Sequence, residues 1–504
     1  MNRSALLRTI SNDPLWDIVV IGGGATGLGI AVDAASRGYQ TLLLEQHDFA
    51  KATSSRSTKL IHGGVRYLQQ GNVSLVRESL RERGHLLRNA PHLVKPLGFV
   101  IPCYKFGEKA YYQIGMKAYD LLAGKLNIAA SRGLNRTETI TQIPTLNSAG
   151  LRGGVLYYDG QFDDARLAIS LAQTAFDHGA TLLNYCRVIR LEYQGKNVHG
   201  VRCVDCETGN EFPVRARAVI NATGIFSDAI CRLDNTNWES RIAFSQGIHL
   251  VLDRRFLPSE NAILVPRTDD GRVVFVIPWH DRVVLGTTDT PIAEAALEPR
   301  AQSQEIDFLL RTAEKYLAIK PSRDDIRALF AGIRPLVRSG NKKASTAALS
   351  RDHHLFIADS GLITINGGKW TTCRKMAEDT VDSAVRVAGL KAVACRTTQL
   401  PLCGGNDAEK EDWLRTTPTL AAPLNTSFPY QELDVVWAVR REFARTVEDV
   451  LARRTRLLFL DAHAAMAAAP RVAEIMAREL GFDKVWEQEQ VAAFIGVAKH
   501  YVVA

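Results

Sequence analysis

Between residues 51 and 67 the chain reads Lys51-Ala-Thr-Ser-Ser-Arg-Ser-Thr-Lys-Leu-Ile-His-Gly-Gly-Val-Arg-Tyr67. Hydroxyls crowd its start, and His62, Arg66 and Tyr67 supply a base, a cation and a phenol within six residues at its end. That density fits an active-site segment better than a surface loop. Thr53, Ser54 and Ser55 are candidates to hydrogen-bond a cofactor. Upstream, Gly22, Gly24 and Gly27 fit G-x-G-x-x-G: the first permits a tight turn, the second lets a pyrophosphate approach the backbone, and the third lets helix and strand pack closely. Glu45 ends the next apolar run, where an acid can bind ribose hydroxyls and favours a dinucleotide lacking a 2′-phosphate. The motif by itself does not separate NAD from FAD.

The elements that must carry these residues follow from periodicity. Ile18 to Ile21 is a short β-branched run expected of a strand buried on both faces, Ala25 to Ser36 is its helix, and Thr41 to Leu44 is the second strand. Alternating segments at about 186–193, 198–205 and 211–217, separated by Gln-Gly-Lys-Asn and Glu-Thr-Gly-Asn turns, predict a β-meander. It runs into Asn221-Ala222-Thr223-Gly224, a return strand ending in small residues. A simple NAD-binding domain normally lacks such a meander, whereas a two-part FAD domain uses a return strand to cover its cofactor. Residues 241–330 look like the substrate half, with strands at Val273–Ile277 and Val283–Leu285 and a helix at 303–318. Downstream, Arg334 and Arg351 offer guanidinium forks for a phosphate. Gly367-Gly368-Lys369-Trp370-Thr371-Thr372 forms strand, turn and helix, whose N-terminal amides could face a flavin pyrimidine oxygen.

Other stretches read as framework. Val73 to Asn89 predicts an amphipathic helix with Val76, Leu80 and Leu87 inward and its Arg and Glu residues on a solvated face. Another helix starts at Asp163-Asp164 and ends near Gly179. Pro401 to Gly405 marks a boundary, and Leu433 to Ala504 is almost wholly helix-compatible, with Val436, Val439, Phe443, Val447 and Leu451 at core spacing.

At 504 residues, a prior of about 150 residues per domain gives roughly three domains. The net charge of +8, from 62 basic and 54 acidic residues, suits anionic substrates or lipids, and the absence of basic tracts argues against nucleic acid. Eight cysteines form neither a disulfide framework nor a zinc set, so no metal is expected; Cys203 and Cys206 read as two strand residues rather than a redox pair. Met1 to Trp16 has too short an apolar core for a signal peptide, and no run reaches the roughly 18 apolar residues of a spanning helix.

With those residues in hand, the chain resembles the FAD-dependent, quinone-linked glycerol-3-phosphate dehydrogenases, a branch of the glycine/D-amino-acid-oxidase-like flavoproteins. The stretches that carry the likeness are Gly22 to Gly27, Ala52 to Tyr67, Asn221 to Gly224, Gly286-Thr-Thr-Asp289, Gly332-Ile-Arg-Pro335, Gly367 to Thr372 and the C-terminal Ala452 to Arg456. The resemblance implies an α/β fold: a two-part FAD-binding Rossmann-like domain (mainly 15–75, 160–240 and 330–390), interleaved within residues 1–400 with a mixed-sheet substrate domain (mainly 76–159 and 241–329), and an all-helical domain over 401–504. It implies noncovalent FAD, oxidation of sn-glycerol 3-phosphate to dihydroxyacetone phosphate, and electrons passed to a membrane quinone. Arg334 and Arg351 are then expected on the substrate phosphate, Arg66 and Tyr67 on the glycerol end, and His62 as the base, with Lys369 or a water as the alternative. Flavin contacts fall to Gly22, Gly24, Gly27, Glu45, Thr53, Ser54, Ser55, Ala222, Thr223, Gly224, Gly367, Gly368 and Thr371. A glycerol-3-phosphate oxidase using oxygen, or another flavin oxidoreductase of this fold, is the alternative. The resemblance also implies a cytoplasmic protein peripheral to the inner face of the cell membrane, touching anionic lipid, and leaves a homodimer open. The segment Tyr104 to Leu126 is then the expected anchor, with Tyr112, Met116, Tyr119, Leu122 and Leu126 toward lipid and Lys117 and Lys125 away, although the same spacing fits an amphipathic helix packed on the protein's own core.

Overall fold

The strand Leu15–Ile21 lies inside an eight-stranded sheet in the computed structural model of the protein, which describes residues 3–12, 14–69, 71–266, 268, 271–338, 352–405 and 408–503. Its neighbours are Glu211–Asn221 on one side and Thr41–Leu44 on the other, both parallel; Ile363–Gly367 and Thr181–Leu183 extend the parallel run outward. His353–Ile357 adds an antiparallel edge, and the strands Cys186–Gln194 and Asn197–Asp205 complete the meander with Glu211–Asn221.

Both faces of this sheet are covered, which is why its strands read as continuous apolar runs. Ile18, Val20 and Leu43 pack in one core with the helices Ala25–Ser36, Asp164–Asp177 and Cys373–Val387. Val19, Ile21, Leu42 and Leu44 pack in another with Val188, Val201 and Val214 of the meander. The register pairs Ile21 with both Asn221 and Leu44, and Asn221 with Thr364. The carboxyl ends of the strands therefore line up, and the Gly22, Glu45 and Ala222 turns open together at one edge of the sheet.

A second, ten-stranded mixed sheet is built on the long strands Val94–Cys103, Gly153–Phe162, Ile242–Asp253 and Ile326–Val337. Two of its members lie within stretches the sequence assigns to the FAD-binding half. Leu60–Ile61 pairs with Gly160 and Gln161, and Ile326–Val337 pairs along Ile242–Asp253. The segment after Thr53 thus crosses from one sheet to the other and delivers His62 to the space between them.

The C-terminal region is helical, with Glu432–Arg441, Ala462–Leu480 and Lys484–Ala498 as its main elements. Val436, Val439, Phe443, Val447 and Leu451 are all buried, but they do not share one helix. The first helix ends at Arg441, Phe443 takes φ +60°, and the chain restarts as a π-helical turn at Asp449–Arg454. That turn reaches the cofactor-side sheet. Arg453 Nε lies 2.5 Å and Arg454 Nη1 2.6 Å from Asp48 Oδ2, and the carboxylate of Glu448 meets the Lys51 ammonium. Burial acts against the Asp48 charge, yet Arg454 and Arg453 hold its pKa below the usual range.

Three framework readings need correction. The helix Val73–Asn89 forms as expected, but Glu82 and Arg83 are buried rather than solvated, because Glu82 takes Arg374 (2.7 Å) and Arg83 takes Asp159 (2.7 Å). Cys203 is a buried strand residue, whereas Cys206 is exposed just past the strand's end. The expected lipid-facing side of the helix Glu108–Ala123 is its inner side: Met116 and Tyr119 are fully buried, and Tyr112 and Leu122 pack against the same core. Its outer side exposes Tyr111, Ile114 and Leu121, with Phe106 in the preceding turn 93% exposed. Among the described residues no helix is long and apolar enough to cross a membrane.

Candidate active site

A cavity of about 780 Å³ runs from the glycine turn to the second sheet, in the size range of a cofactor and substrate cleft. Its cofactor-side wall is set by backbone. Gly22 sits at φ +107° with Ala222 O 2.7 Å from where a Cβ would be, so only glycine fits. At Gly24 the nearest atom to such a Cβ is Ser54 Oγ at 3.1 Å. Gly27 does not line the cavity; its absent Cβ would lie 1.9 Å from Gly22 O, the close helix–turn packing expected of the third glycine. Glu45 lines the cavity and is held at the turn by the amides of Gly23 (2.6 Å to Oε2) and His47 (2.8 Å to Oε1). Burial raises its pKa against these two donors. Each carboxylate oxygen keeps a second lone pair for a ribose hydroxyl.

The hydroxyl cluster divides its work. Thr53 and Ser54 line the cavity, but their hydroxyls are engaged: Thr53 Oγ1 donates to Ile333 O (2.7 Å), and Ser54 Oγ accepts from the Ala25 amide (2.9 Å) at the helix start. Ser55 is a correction. It is buried away from the cavity, where its carbonyl accepts from Lys59 Nζ (2.8 Å) and Arg456. Lys59 is fully buried beside Asp164 (2.7 Å), and desolvation pushes its pKa down to about 7 against the pull of that carboxylate. On the other flank, Ala222, Thr223 and Gly224 line the cavity, their turn fixed by Asn221, whose Oδ1 accepts from Thr223 Oγ1 (2.7 Å).

The glycine turn before the last helix closes the opposite end. Gly367 and Gly368 take φ +78° and +76°, and Asp352 O would lie 2.7 Å from a Cβ at Gly367. Trp370 Nε1 donates to Ser54 O (2.9 Å), tying this turn to the hydroxyl segment. Thr371 Oγ1 stands 3.3 Å from both the amide and the carbonyl of His62. Lys369 Nζ contacts Ser79 Oγ at 3.1 Å and lies 4.5 Å above the Tyr67 ring.

Arg334, on the strand Ile326–Val337, reaches the cavity across Gly247; a Cβ there would lie 2.3 Å from its Nη2. Its fork is oriented by Thr287 Oγ1 (3.1 Å), Thr288 O (3.3 Å) and Ser245 Oγ (3.4 Å), with Asp289 at 3.9 Å. His62, Tyr67, Arg334 and Lys369 thus line one cavity. Arg66 lies on the helix Val65–Gln69, and Arg351 lies outside the described residues.

Sequence reasoning missed His249. It lines the same cavity, stacks on Phe330 (4.7 Å between centroids) and places Nε2 2.9 Å from Thr58 Oγ1, while Nδ1 has no hydrogen-bond partner among the described residues. Burial, with Lys59 and Arg334 adding to it, holds the imidazole well below its ordinary pKa and therefore neutral. In sequence it is a lone histidine in an apolar strand, a pattern shared with any core histidine. Arg56 is a second omission: it lines the cavity with Nη1 on Leu297 O (2.8 Å) and Nη2 on Glu298 (2.7 Å).

Residues 17–374 match the family described as FAD dependent oxidoreductase, and residues 413–488 match the C-terminal domain of alpha-glycerophosphate oxidase. The mitochondrial glycerol-3-phosphate dehydrogenase of Mus musculus is 41% identical over 97% of this chain and 74% of its own length. That of Schizosaccharomyces pombe is 36% identical over 96% and 87%. The chain belongs to the FAD-dependent glycerol-3-phosphate dehydrogenase family. A crystal structure of the glycerol-3-phosphate dehydrogenase from Bacillus halodurans, complexed with FAD, superposes with a TM-score of 0.79 at 29% identity, covering 99% of this chain and 98% of that one. The α/β fold with a helical C-terminal domain is that of the family, and FAD is its cofactor. The glycine cradle around Gly22 and Gly24, Glu45 fixed beside it, and the second glycine turn at Gly367 and Gly368 fit a flavin dinucleotide laid between the two sheets.

Proposed function

We propose that the chain oxidises sn-glycerol 3-phosphate to dihydroxyacetone phosphate at the membrane surface and passes the electrons to quinone. The observation that carries the reading is Arg334, a guanidinium fork oriented by Ser245, Thr287 and Thr288 in the same cavity as His62, His249, Lys369 and the glycine cradle. A phosphate dianion fits such a fork bidentately. Bound FAD supplies a two-electron acceptor for the hydride that leaves the substrate C2. His62 takes the C2 hydroxyl proton, a role typically worth 10²–10⁴-fold. Neutral His249, hydrogen-bonded through Nε2 to Thr58 Oγ1, stands in the same cavity as a further polar group beside the substrate. Lys369, above Tyr67, adds positive potential at the far end of the cavity.

The contact with the bilayer is assigned to the outer side of the helix Glu108–Ala123. Tyr111, Ile114, Ala118 and Leu121 recur at helical spacing and are exposed, Phe106 extends the stripe, and Lys105, Lys117 and Lys125 flank it. A stripe of this kind lies in the headgroup layer with its ammoniums on anionic lipid, beside a bilayer in which quinone dissolves. A second reading, transfer to oxygen, is favoured by the description that the C-terminal residues 413–488 match. Anaerobic addition of glycerol 3-phosphate to the purified holoenzyme is the decisive test. Bleaching of the flavin band is expected, and a band left oxidised by glycerol 3-phosphate would reject the substrate assignment. Peroxide yield against quinone reduction then separates the two acceptors.

A further inference from the structure

Beneath His62 lies a buried polar cluster that the reaction as described does not use. Asp159, on the strand Gly153–Phe162, accepts from Arg83 Nη1 (2.7 Å) and from the hydroxyl of Tyr119 (2.7 Å), all three residues being at most 2% exposed. The Tyr119 oxygen in turn accepts from the Gly63 amide at 2.8 Å, while Asp159 Oδ1 stands 3.4 Å from the same nitrogen. That amide belongs to the peptide whose carbonyl is His62's own. The remaining backbone contacts of His62 with Thr371 are both 3.3 Å, at the long end for hydrogen bonds.

We propose that Tyr119 is a positioning residue for the reaction: its hydroxyl, oriented by Asp159 and Arg83, fixes the His62–Gly63 peptide plane and so the origin of the imidazole. The chain is arranged for this contact. Gly63 has no Cβ, and one would lie 2.5 Å from the Tyr119 hydroxyl and 2.6 Å from Leu80 Cδ2. Arg83 neutralises Asp159, whose carboxylate is then free to take the phenol proton as a hydrogen bond and leave the phenol lone pair for Gly63. Tyr119 also sits on the inner side of the helix whose outer side carries the exposed apolar stripe, so the element assigned to the bilayer holds the peptide of the base. A shift of about 1 Å in a catalytic group can cost on the order of 100-fold.

The inference rests on His62 as the base, and the test separates the two. Tyr119→Phe, His62→Asn and the double variant are purified as holoenzymes and mixed anaerobically with glycerol 3-phosphate in a stopped-flow instrument. Tyr119→Phe is expected to keep its FAD and half-saturating substrate concentration but to reduce flavin about 10- to 100-fold more slowly, and to add little to the loss in His62→Asn. Tyr119→Phe at the wild-type rate beside a slow His62→Asn would overturn the positioning role alone. Equal slowing by Tyr119→Phe in both backgrounds would also overturn it, since the hydroxyl would then act independently of His62. His62→Asn at the wild-type rate would instead remove the base assignment and the inference with it. If Tyr119→Phe does not yield folded holoenzyme, 3-fluorotyrosine at 119 weakens the acceptor with the ring packing kept; an unchanged reduction rate with it would likewise overturn the proposal.

Discussion

Replacing Arg334 by methionine removes a charged fork while keeping much of its stem. The guanidinium is held within 3.1–3.4 Å of Thr287, Thr288 and Ser245, and its side chain is 22% exposed, so solvent screens it only in part. A charge-assisted contact of this kind is worth roughly 1.5–3 kcal/mol, which at about 1.4 kcal/mol per decade is a loss of about 10- to 100-fold in kcat/KM for glycerol 3-phosphate. Arg334→Lys should recover little. An ammonium is a point charge on a flexible stem, and it cannot keep the Thr287 and Ser245 contacts while presenting two parallel donors. Steady-state reduction of a soluble dye, with flavin content measured in parallel, gives the magnitude. Its cause is read from a second substrate: turnover of unphosphorylated glycerol should be almost unaffected, so the preference for the phosphorylated substrate collapses by the same factor. If both substrates lost activity equally, or neither did, Arg334 would not be the phosphate ligand.

Three further outcomes are expected. Gly24→Leu should give folded but colourless protein, because its side chain would occupy the pyrophosphate approach; a wild-type flavin-to-protein absorbance ratio would count against the cradle. Serine at Phe106, Tyr111, Ile114 and Leu121 should abolish flotation with anionic liposomes and quinone reduction while sparing dye reduction, and unaltered flotation would remove the stripe from the interface. Burial works against ionised Glu448, but Arg453 and Lys51 outweigh it and bring its pKa from 4.5 to about 2. A carboxylate depressed in the folded state adds stability that is fully present above about pH 4.5 and lost as pH falls toward 2, here roughly 3 kcal/mol. Glu448→Gln should therefore be less stable to urea by about that amount at pH 7, with the gap closing on acidification; a pH-independent gap would show that the ion pairs with Arg453 and Lys51 are not its source.

The parts of the site that could be read from sequence are those fixed by the backbone itself. A turn that needs φ +107° at Gly22, or a position such as Gly27 where a Cβ would lie 1.9 Å from Gly22 O, admits one residue type, so the glycines mark the cradle wherever the chain places it. The meander was legible for a similar reason, since its turns and alternation are local. Side chains whose role depends on a distant partner left no such mark. Glu82 and Arg83 have the composition of a solvated helix face, and only Arg374 and Asp159, far along the chain, make their burial affordable. His249 looks like a core histidine until Thr58 and the cavity are beside it.

The helix Glu108–Ala123 shows how far such ambiguity reaches. Its sequence is apolar on two sides: Tyr112, Met116 and Tyr119 make one stripe, and Tyr111, Ile114 and Leu121 the other. Helical periodicity cannot choose between them, because both repeat at three- and four-residue steps. The inner stripe carries a polar atom that needs partners within the protein. The Tyr119 hydroxyl finds Asp159 and the Gly63 amide inside the protein, a set of partners that lipid could not replace, so that side turns inward and the second stripe is left at the surface. Two apolar faces on one helix are costly in a chain that needs only one of them for its core. In the proposed arrangement each has a surface to cover, the inner face the segment that carries His62 and the outer face the bilayer.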